Sequence, residues 1–255
     1  MTRRLYAIGD IHGHLSLLHD AHARIAADRA RMGDDAEAPV VHIGDLVDRG
    51  PESAGVIAHL MEGQAAGQPW IVLKGNHDRM FQFFMEECPQ RDPCLRPDLD
   101  WLHPRLGGLT ALASYGLDAT EARDPDDLHA EARAAVPQAH LDWVRALPDR
   151  ADFGPVFLAH AGVRPGVALA RQEEDDLLWI RAPFHASRAD HGALIVHGHT
   201  PEPKARHYGN RVNIDSGAAY GGPLTTVVIE GTDVFVLDED GTRQRLRPGL
   251  LDRLR

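Results

Sequence analysis

The chain has 255 residues, of which 43% are hydrophobic and 25% charged, and its formal net charge is -11. This composition is ordinary for a soluble globular protein, and the length predicts one large domain over residues 1–255. The acidic balance and the lack of a basic stripe exclude a duplex nucleic-acid binder. No apolar run approaches the roughly 20 residues of a membrane span, and no secretory signal begins the chain, so we expect a cytoplasmic protein with no membrane partner.

Short apolar runs alternate with helical stretches over the first two-thirds of the chain, which predicts an α/β fold. In chain order we expect a strand at 5–8, a helix at 15–32, a strand at 40–43, a helix at 52–62, a strand at 70–73 and a helix at 79–87. Four prolines in residues 88–104 predict a surface loop, which opens a helical insertion of about 88–150 that ends in a helix at 138–147.

Strands are predicted again at 156–159 and 193–196, and three more β-like runs follow at 211–214, 224–229 and 234–237. Gly and Asp turns separate these last three runs, so we expect consecutive antiparallel strands that close a second sheet.

Polar motifs follow the first two predicted strands directly. Asp10 and His12 lie in a Gly-Asp-Ile-His-Gly turn after the first strand, and Asp45 takes the same position after the second. An Asp and a His two residues apart offer one oxygen and one nitrogen ligand to a common centre. Arg49, four residues beyond Asp45, is suited to binding phosphate oxygens, although Asp48 and Arg49 taken alone are better explained as a surface ion pair.

Three later strands end in the same kind of residue. Asn76 and His77 follow the third strand, where the simplest alternative is a helix cap beside an idle histidine. His160 follows the strand at 156–159, and His199 follows the strand at 193–196. A single histidine after a strand is usually structural, but the repetition at successive strand ends is not explained in that way.

Sites in open α/β sheets form beyond the carboxyl ends of the strands, so these segments are expected to meet. The set then supplies Asp, Asn and His ligands, which suit two divalent transition ions better than calcium. Cysteine takes no part, and Cys88 and Cys94 are expected to be free thiols, because they lack the paired spacing of a zinc site.

These motifs resemble those of the PPP-type metallophosphatases, the family of the eukaryotic serine/threonine phosphatases. The chain is most similar to their compact bacterial and phage members, such as the phage lambda phosphatase. Residues 177–181 resemble the segment that carries the second phosphate-binding arginine of that family, and residues 213–218 resemble the strand and turn after its last metal ligand. The resemblance implies the calcineurin-like metallophosphoesterase fold, a two-sheet β-sandwich flanked by helices.

The resemblance also implies a role for each matching residue. The first ion would be held by Asp10, His12 and Asp45. The second would be held by Asp45, Asn76, His160 and His199, with Asp45 bridging. His77 would be the general acid, oriented by Asp48, and Arg49 and Arg181 would bind the substrate phosphate.

Two ions about 3.5–4 Å apart share a water and lower its pKa, so we expect in-line attack on phosphorus by the resulting hydroxide. Manganese is the expected metal by resemblance, with iron, zinc or nickel as alternatives. The expected substrate is a phosphoprotein at Ser or Thr, and Tyr or His phosphoesters are also considered. The oligomeric state cannot be read from the sequence.

Two other functions remain open at this point. A symmetrical diadenosine-tetraphosphate hydrolase would share the same motifs, but that branch carries a different arginine segment where this chain has residues 177–181. An inactive phosphate-binding scaffold is disfavoured, because no ligand and no acid is missing from the set.

The remaining histidines are expected to have no chemical role. His42 lies within a predicted strand and is expected in the core. Others lie on helical stretches and are expected to face solvent: His14, His19, His22, His59, His129 and His140.

Overall fold

The computed structural model describes residues 4–32 and 37–249, so both ends of the predicted domain lie outside the described residues. Its strands are β1 Arg4–Ile8, β2 Val40–His42, β3 Trp70–Val72, β4 Arg150–Asp152, β5 Val156–Ala159, β6 Leu194–His197, β7 Arg206–His207, β8 Arg211–Asn213, β9 Thr226–Glu230, β10 Asp233–Leu237 and β11 Arg243–Leu246. Its helices are α1 Leu15–Met32, α2 Ser53–Ala65, α3 Asn76–Phe84, α4 Gly108–Ala113, α5 Pro125–Ala135, α6 Gln138–Ala146, α7 Glu174–Trp179 and α8 Ala182–Ala186. None of the helices in the described ranges combines the length and hydrophobicity that a membrane span requires.

The strands form two mixed sheets, as predicted for this α/β fold. One has six strands in the order β11-β10-β9-β1-β2-β3, and the other has five in the order β4-β5-β6-β8-β7. Within the first sheet β1, β2 and β3 are parallel, and within the second β5, β6 and β8 are parallel. Parallel neighbours end at the same edge of a sheet, so the turns that follow them are brought together.

The prediction for the C-terminal runs was wrong in part: β9 and β10 are consecutive antiparallel strands, as predicted, but they do not belong to the second sheet. Only β8 joins the second sheet, where it lies parallel to β6, whereas β9, β10 and β11 extend the first sheet. The central position of β9 explains this arrangement, because its buried Val227, Val228 and Ile229 need cover on both faces. Between β1 and β10, Val228 packs into the cluster that contains the helix residues, and Val227 and Ile229 pack into the cluster between the two sheets. Turn residues between runs do not reveal which sheet a strand will join.

The alternation of side chains along β1 shows how the layers are built. Leu5 and Ala7 belong to an apolar cluster that includes Leu158 and Val196 of the second sheet, so this cluster fills the space between the sheets. Tyr6 and Ile8 point the other way, into a cluster that contains residues of α1, α2 and α3. Period-two alternation therefore buries both faces of the strand that leads into the first polar motif.

Residues 88–104 were predicted to be a surface loop, and this was wrong for part of the segment. Asp92, Leu95 and Trp101 are only 2%, 5% and 6% exposed. Asp92 accepts hydrogen bonds from Nε and Nη2 of the buried Arg79 on α3, at 2.7 and 3.0 Å. Prolines indicate the lack of regular structure, but they do not indicate whether the segment is packed against the domain.

The histidine predictions had mixed outcomes. His42 is fully buried, as predicted, whereas His22 is half-buried rather than facing solvent, and its ring stacks on Trp70 at 4.2 Å. The Nε2 atom of His22 lies 2.9 Å from Nε2 of His42, and its Nδ1 atom lies 3.1 Å from Nε2 of His59. His129 is also buried and donates to the carbonyl of Glu86 at 2.9 Å.

The His22–His42 pair predicts a specific loss of stability in acid. Burial lowers the pKa of His42 to about 3, and burial followed by the neighbouring His42 lowers the pKa of His22 to about 2. An unfolded histidine titrates near 6.5, so below about pH 6.5 the unfolded state binds protons that the folded state does not. The free energy of unfolding should therefore fall as the pH drops toward 3, by about 1.4 kcal/mol per pH unit for each suppressed imidazole.

Urea unfolding of the metal-free protein between pH 5 and 7.5 measures this slope. We expect His42→Gln to reduce the slope below pH 6 by about 1.4 kcal/mol per pH unit. The matched control is His19→Gln, since His19 is exposed on α1. Equal slopes for the wild type and His42→Gln would contradict the prediction.

Candidate active site

The predicted ligands converge at the edge where the parallel strands end. Asp10 and His12 follow β1, Asp45 follows β2, and His160 and His199 follow β5 and β6. They are joined by Asn76 at the start of α3, and each of these side chains is at most 6% exposed. Ligand atoms of Asp45, His160 and His199 all lie within 4.8 Å of one another, as do those of His12, Asp45 and His77.

One cluster is built around Asn76. Its Oδ1 atom lies 2.9 Å from Nε2 of His160 and 2.8 Å from Nδ1 of His199, and these two ring nitrogens are 3.2 Å apart. Nε2 of His160 is also 3.2 Å from Oδ1 of Asp45. Oxygen and nitrogen lone pairs therefore point at a common centre, which is the arrangement that a cation stabilises.

The second cluster shares Asp45. Its other oxygen, Oδ2, lies 3.3 Å from Nε2 of His12, so the two oxygens of one carboxylate face two different imidazoles. Asp10 lies beside this cluster, with Oδ2 accepting from the backbone N–H of His199 at 2.9 Å. Its Oδ1 atom is buried and has no hydrogen-bond partner among the described residues.

Backbone carbonyls set the orientation of two of the imidazoles. Nδ1–H of His12 donates to the carbonyl of Val47 and Nδ1–H of His160 donates to that of Ile43, both at 3.0 Å. With the proton held on Nδ1, the Nε2 lone pair of each ring faces the site. Such outer hydrogen bonds fix the tautomer of metal-binding histidines.

The electrostatics of these residues also fit divalent cations. Burial, and then the nearby Asp215 and Asp45, raises the pKa of Asp10 well above its usual range. Burial lowers the pKa values of His160 and His199, which keeps both rings neutral and able to act as ligands. The carboxylates repel one another, the imidazoles are neutral, and one buried oxygen has no hydrogen-bond partner among the described residues. Together these features suit a site for a pair of positive ions.

Backbone strain is concentrated in the same residues. Among the described residues, the non-glycine positions with positive φ are His12, Asp45, Asp48, Arg49 and His199, at 46°, 50°, 72°, 67° and 66°. Left-handed conformations of such residues cost of order 1–3 kcal/mol each and persist where the surrounding structure holds them. Close packing adds a further constraint, because a Cβ atom on Gly198 would lie 1.9 Å from Oδ1 of Asp10.

His77 and Asp48 form a buried pair beside the two clusters. Nδ1–H of His77 donates to Oδ2 of Asp48 at 2.6 Å, and Asp48 is completely buried. Nε2 of His77 therefore faces the site, where a proton could pass to or from a bound group.

The two predicted phosphate-binding arginines both lie at this site, but they have different hydrogen-bond partners. Nη1 of Arg49 donates to Nε2 of His12 at 2.6 Å, and Nη2 donates to Nε2 of His77 at 2.9 Å. Arg181 lies at the N-terminus of α8 and donates from Nη1 to Thr200 at 3.2 Å. Burial lowers the pKa of Arg181, and Asp45 and Arg49 are close enough to influence it as well.

The sequence pattern of one known family matches nearly all of this architecture. The model of the calcineurin-like phosphoesterases matches residues 3–229. The chain belongs to this family. Its members are metallophosphoesterases that use a dinuclear metal site, which agrees with the two clusters that share Asp45.

Named relatives of this calcineurin-like phosphoesterase include a protein phosphatase and a nucleotide hydrolase. Serine/threonine-protein phosphatase 1 of Salmonella typhimurium is 29% identical over 237 residues, which are 89% of this chain and 93% of that protein. The asymmetrical bis(5'-nucleosyl)-tetraphosphatase of Anoxybacillus flavithermus is 27% identical over 202 residues, which are 72% of this chain and 73% of that protein.

Solved structures share the fold. A cold-active protein-tyrosine phosphatase from a Shewanella species superposes with a TM-score of 0.64 at 17% identity, over 97% of this chain and 81% of that one. A candidate diadenosine tetraphosphatase superposes with a TM-score of 0.61 at 20% identity, over 98% and 96% of the two chains. At these identities the superpositions establish the phosphoesterase fold and leave the substrate open.

Sequence reasoning missed two contacts that support the site of this phosphoesterase. Asp78 accepts from the backbone N–H groups of Leu46 and Gly75 at 2.9 and 2.7 Å, so it ties the turn after β2 to the turn after β3. An acidic residue three positions after a helix cap is a known capping signal and could have indicated this role. Trp101, from the segment predicted to be a surface loop, donates from Nε1 to Oδ2 of Asp48 at 2.9 Å. No local sequence signal marks that contact.

Proposed function

We propose that this chain is a two-metal phosphomonoesterase of the PPP type that removes phosphate from phosphoproteins. The observation that carries the proposal is the position of Asp45, whose two oxygens face separate histidine clusters. A carboxylate in that position suits a bridge between two ions. Dinuclear sites of this kind stabilise both the attacking and the leaving oxygen in phosphoryl transfer.

The proposed ligands are divided between the two ions. Asp10, His12 and Asp45 would hold the first, and Asp45, Asn76, His160 and His199 would hold the second. When bound, the ions lower the pKa of a shared water and supply the nucleophile. Manganese is our proposed metal on the family resemblance, and the mixed oxygen and nitrogen donors are equally compatible with iron, zinc or nickel.

The protein side chains have separate proposed tasks around the phosphate. Asp48 holds the Nδ1–H of His77, so Nε2 has to take up a proton from solvent before the reaction. The resulting imidazolium then gives the Nε2 proton to the leaving oxygen and returns to the neutral ring. Arg181 and Arg49 bind the equatorial phosphate oxygens. For that task the guanidinium of Arg49 has to leave His12 and His77, and its departure would also release Nε2 of His77 for proton transfer.

Two features support a phosphoprotein substrate. The segment Leu177 to Arg181 fits the protein phosphatase pattern, and the Salmonella serine/threonine phosphatase aligns over 89% of the chain. The insertion of about 88–150 is the proposed peptide-reading surface, because the contact of the buried Trp101 with Asp48 places this segment next to the site.

The second candidate function is hydrolysis of dinucleoside tetraphosphates. It is favoured by several bacterial relatives named as asymmetrical bis(5'-nucleosyl)-tetraphosphatases, one of which is 27% identical to this chain. The sequence motifs are also compatible with a symmetrical enzyme, so the position of cleavage is a further point that an assay must distinguish.

A side-by-side assay tests the proposal. Manganese-loaded protein is given phosphoserine, phosphothreonine and phosphotyrosine peptides and diadenosine tetraphosphate, and kcat/KM is compared. We expect the phosphoserine and phosphothreonine peptides to be preferred. Preference for the dinucleotide would overturn the protein-phosphatase proposal and leave the metal site standing, and the products would show whether cleavage is symmetrical. No hydrolysis of any substrate would favour a phosphate-binding scaffold.

A further inference from the structure

The Asp48 carboxylate has two hydrogen-bond donors, and both bind the same oxygen. Oδ2 accepts from Nδ1–H of His77 at 2.6 Å and from Nε1–H of Trp101 at 2.9 Å. Oδ1 is buried and has no partner among the described residues. Rotation of this carboxylate is therefore restrained through Oδ2 by both the imidazole and the indole.

Trp101 is itself held firmly in place. Its ring lies 4.7 Å from that of Phe84 and 5.6 Å from that of Phe81, and the side chain is only 6% exposed. These contacts come from α3, the helix that begins with Asn76 and His77. The indole thus connects the apolar face of the helix that carries His77 to the carboxylate that orients it.

The same segment contacts the strained turn a second time. The backbone N–H of Arg49 donates to the carbonyl of Gly107 at 3.4 Å. Gly107 has φ of +89°, and a Cβ atom there would lie 2.3 Å from the backbone nitrogen of Arg49. Asp48 and Arg49 both have positive φ, so residues 101–107 cover a turn that needs support from outside.

A purely structural role would account for part of this arrangement. A buried indole N–H requires an acceptor, and Asp48 could serve only that need. The structural role does not explain why the acceptor is the oxygen that holds His77, in a carboxylate that has no other donor among the described residues. If the role of Trp101 is only structural, loss of its indole N–H leaves the orientation of His77 unchanged. If Trp101 positions Asp48, the same loss changes the orientation of His77.

We propose that Trp101 is a positioning residue for His77: its indole N–H holds Asp48 in the orientation that directs Nε2 of His77 into the site. This rests on the proposed role of His77 as the proton donor. Without the indole donor, the broad χ2 torsion of Asp48 is less restricted, and the imidazole loses its fixed direction.

Trp101→Phe tests the proposal, because it retains an aromatic ring against Phe84 and removes the N–H. The manganese-loaded variant is compared with the wild type and His77→Asn on p-nitrophenyl phosphate and on phenyl phosphate, whose more basic leaving group depends more on protonation. We expect Trp101→Phe to lower kcat on phenyl phosphate by about 10-fold, as for loss of other outer hydrogen-bond partners. The loss on p-nitrophenyl phosphate should be clearly smaller, with KM and bound manganese unchanged.

The matched control is Trp143→Phe, which removes an indole donor to Gln64 away from the site. It should affect neither substrate. Equal losses on both substrates for Trp101→Phe, or no loss, would overturn the positioning role. If His77→Asn itself showed no greater loss on phenyl phosphate, the proposed acid would be wrong, and that failure is distinguishable from the failure of Trp101 alone.

A readout independent of activity uses histidine-labelled, metal-free protein. The Nδ1–H resonance of His77 is assigned by its absence in His77→Asn, and we expect it to broaden or move upfield in Trp101→Phe. An unchanged resonance would count against the proposal. If circular dichroism shows that Trp101→Phe does not fold, replacement of Trp101 by benzothienylalanine exchanges only the N–H for sulfur, and the same expectations apply to it.

Discussion

Asp45→Asn is expected to remove both metal ions and nearly all activity. Oδ1 of Asp45 lies 3.2 Å from Nε2 of His160, and Oδ2 lies 3.3 Å from Nε2 of His12, so one side chain serves both clusters. Asparagine has almost the same volume but replaces one charged oxygen with an amide group, which is a donor and cannot bind a cation. Because loss of an outer hydrogen-bond partner alone costs 10–100-fold in metal affinity, we expect loss of this ligand to cost at least about 10²-fold.

Metal content after manganese loading and dialysis measures the effect directly, and hydrolysis of p-nitrophenyl phosphate follows it. Asp20→Asn is the matched control, because Asp20 is exposed on α1 and should retain the wild-type metal content. If Asp45→Asn kept both ions, the carboxylate would not be the bridge. The proposed assignment of ligands to the two ions would then be wrong.

His77→Asn is expected to separate metal binding from turnover. The ring lies between Asp48, at 2.6 Å from Nδ1, and the guanidinium of Arg49, at 2.9 Å from Nε2. Asparagine cannot transfer a proton under these conditions, so kcat should fall by about 10²–10⁴-fold, the usual range for a general acid. Both ions should remain bound, because His77 is not a metal ligand in the proposed site.

Comparison with Asp48→Asn completes this experiment. That variant keeps the imidazole but weakens the acceptor that orients it, so we expect a smaller loss of kcat than for His77→Asn. An unchanged rate in His77→Asn would remove the residue from the reaction. Loss of manganese from that variant would instead make His77 a ligand of the cluster that it shares with His12 and Asp45.

Local sequence was sufficient for much of the fold. The helix at Leu15–Met32 and the strand at Val156–Ala159 were predicted to the residue, and the other elements that were predicted individually before β9 differ at their ends by a few positions. No separate bounds were predicted for α4, α5, α7, α8, β4 and β7. Apolar periodicity reports which side of an element is buried, and this property depends on neighbours along the chain. It does not report the partner of a strand, which is why β9 and β10 were assigned to the wrong sheet.

The candidate ligands could also be predicted because their signal is local. Each of them follows a strand closely, and parallel strands bring their ends together whatever the rest of the chain does. Asp10, Asp45 and His160 were therefore expected at one place before any distance was known. In the structure Asp45 and His160 lie in one cluster with His199, and Asp10 accepts from the backbone of His199.

Only the tertiary structure decided the contacts between segments that are far apart in the chain. Trp101 contacts Asp48, which is 53 residues away in the sequence, and His22 contacts His42, which is 20 residues away. No local sequence pattern predicts either contact. The hydrogen bonds from Arg49 to His12 and His77 also depend on three-dimensional packing. The sequence by itself determined which chemical groups stand at the ends of the strands, because that is a matter of neighbouring residues. The packing of distant segments determined how those groups are oriented, because a hydrogen bond depends on distance and angle in space.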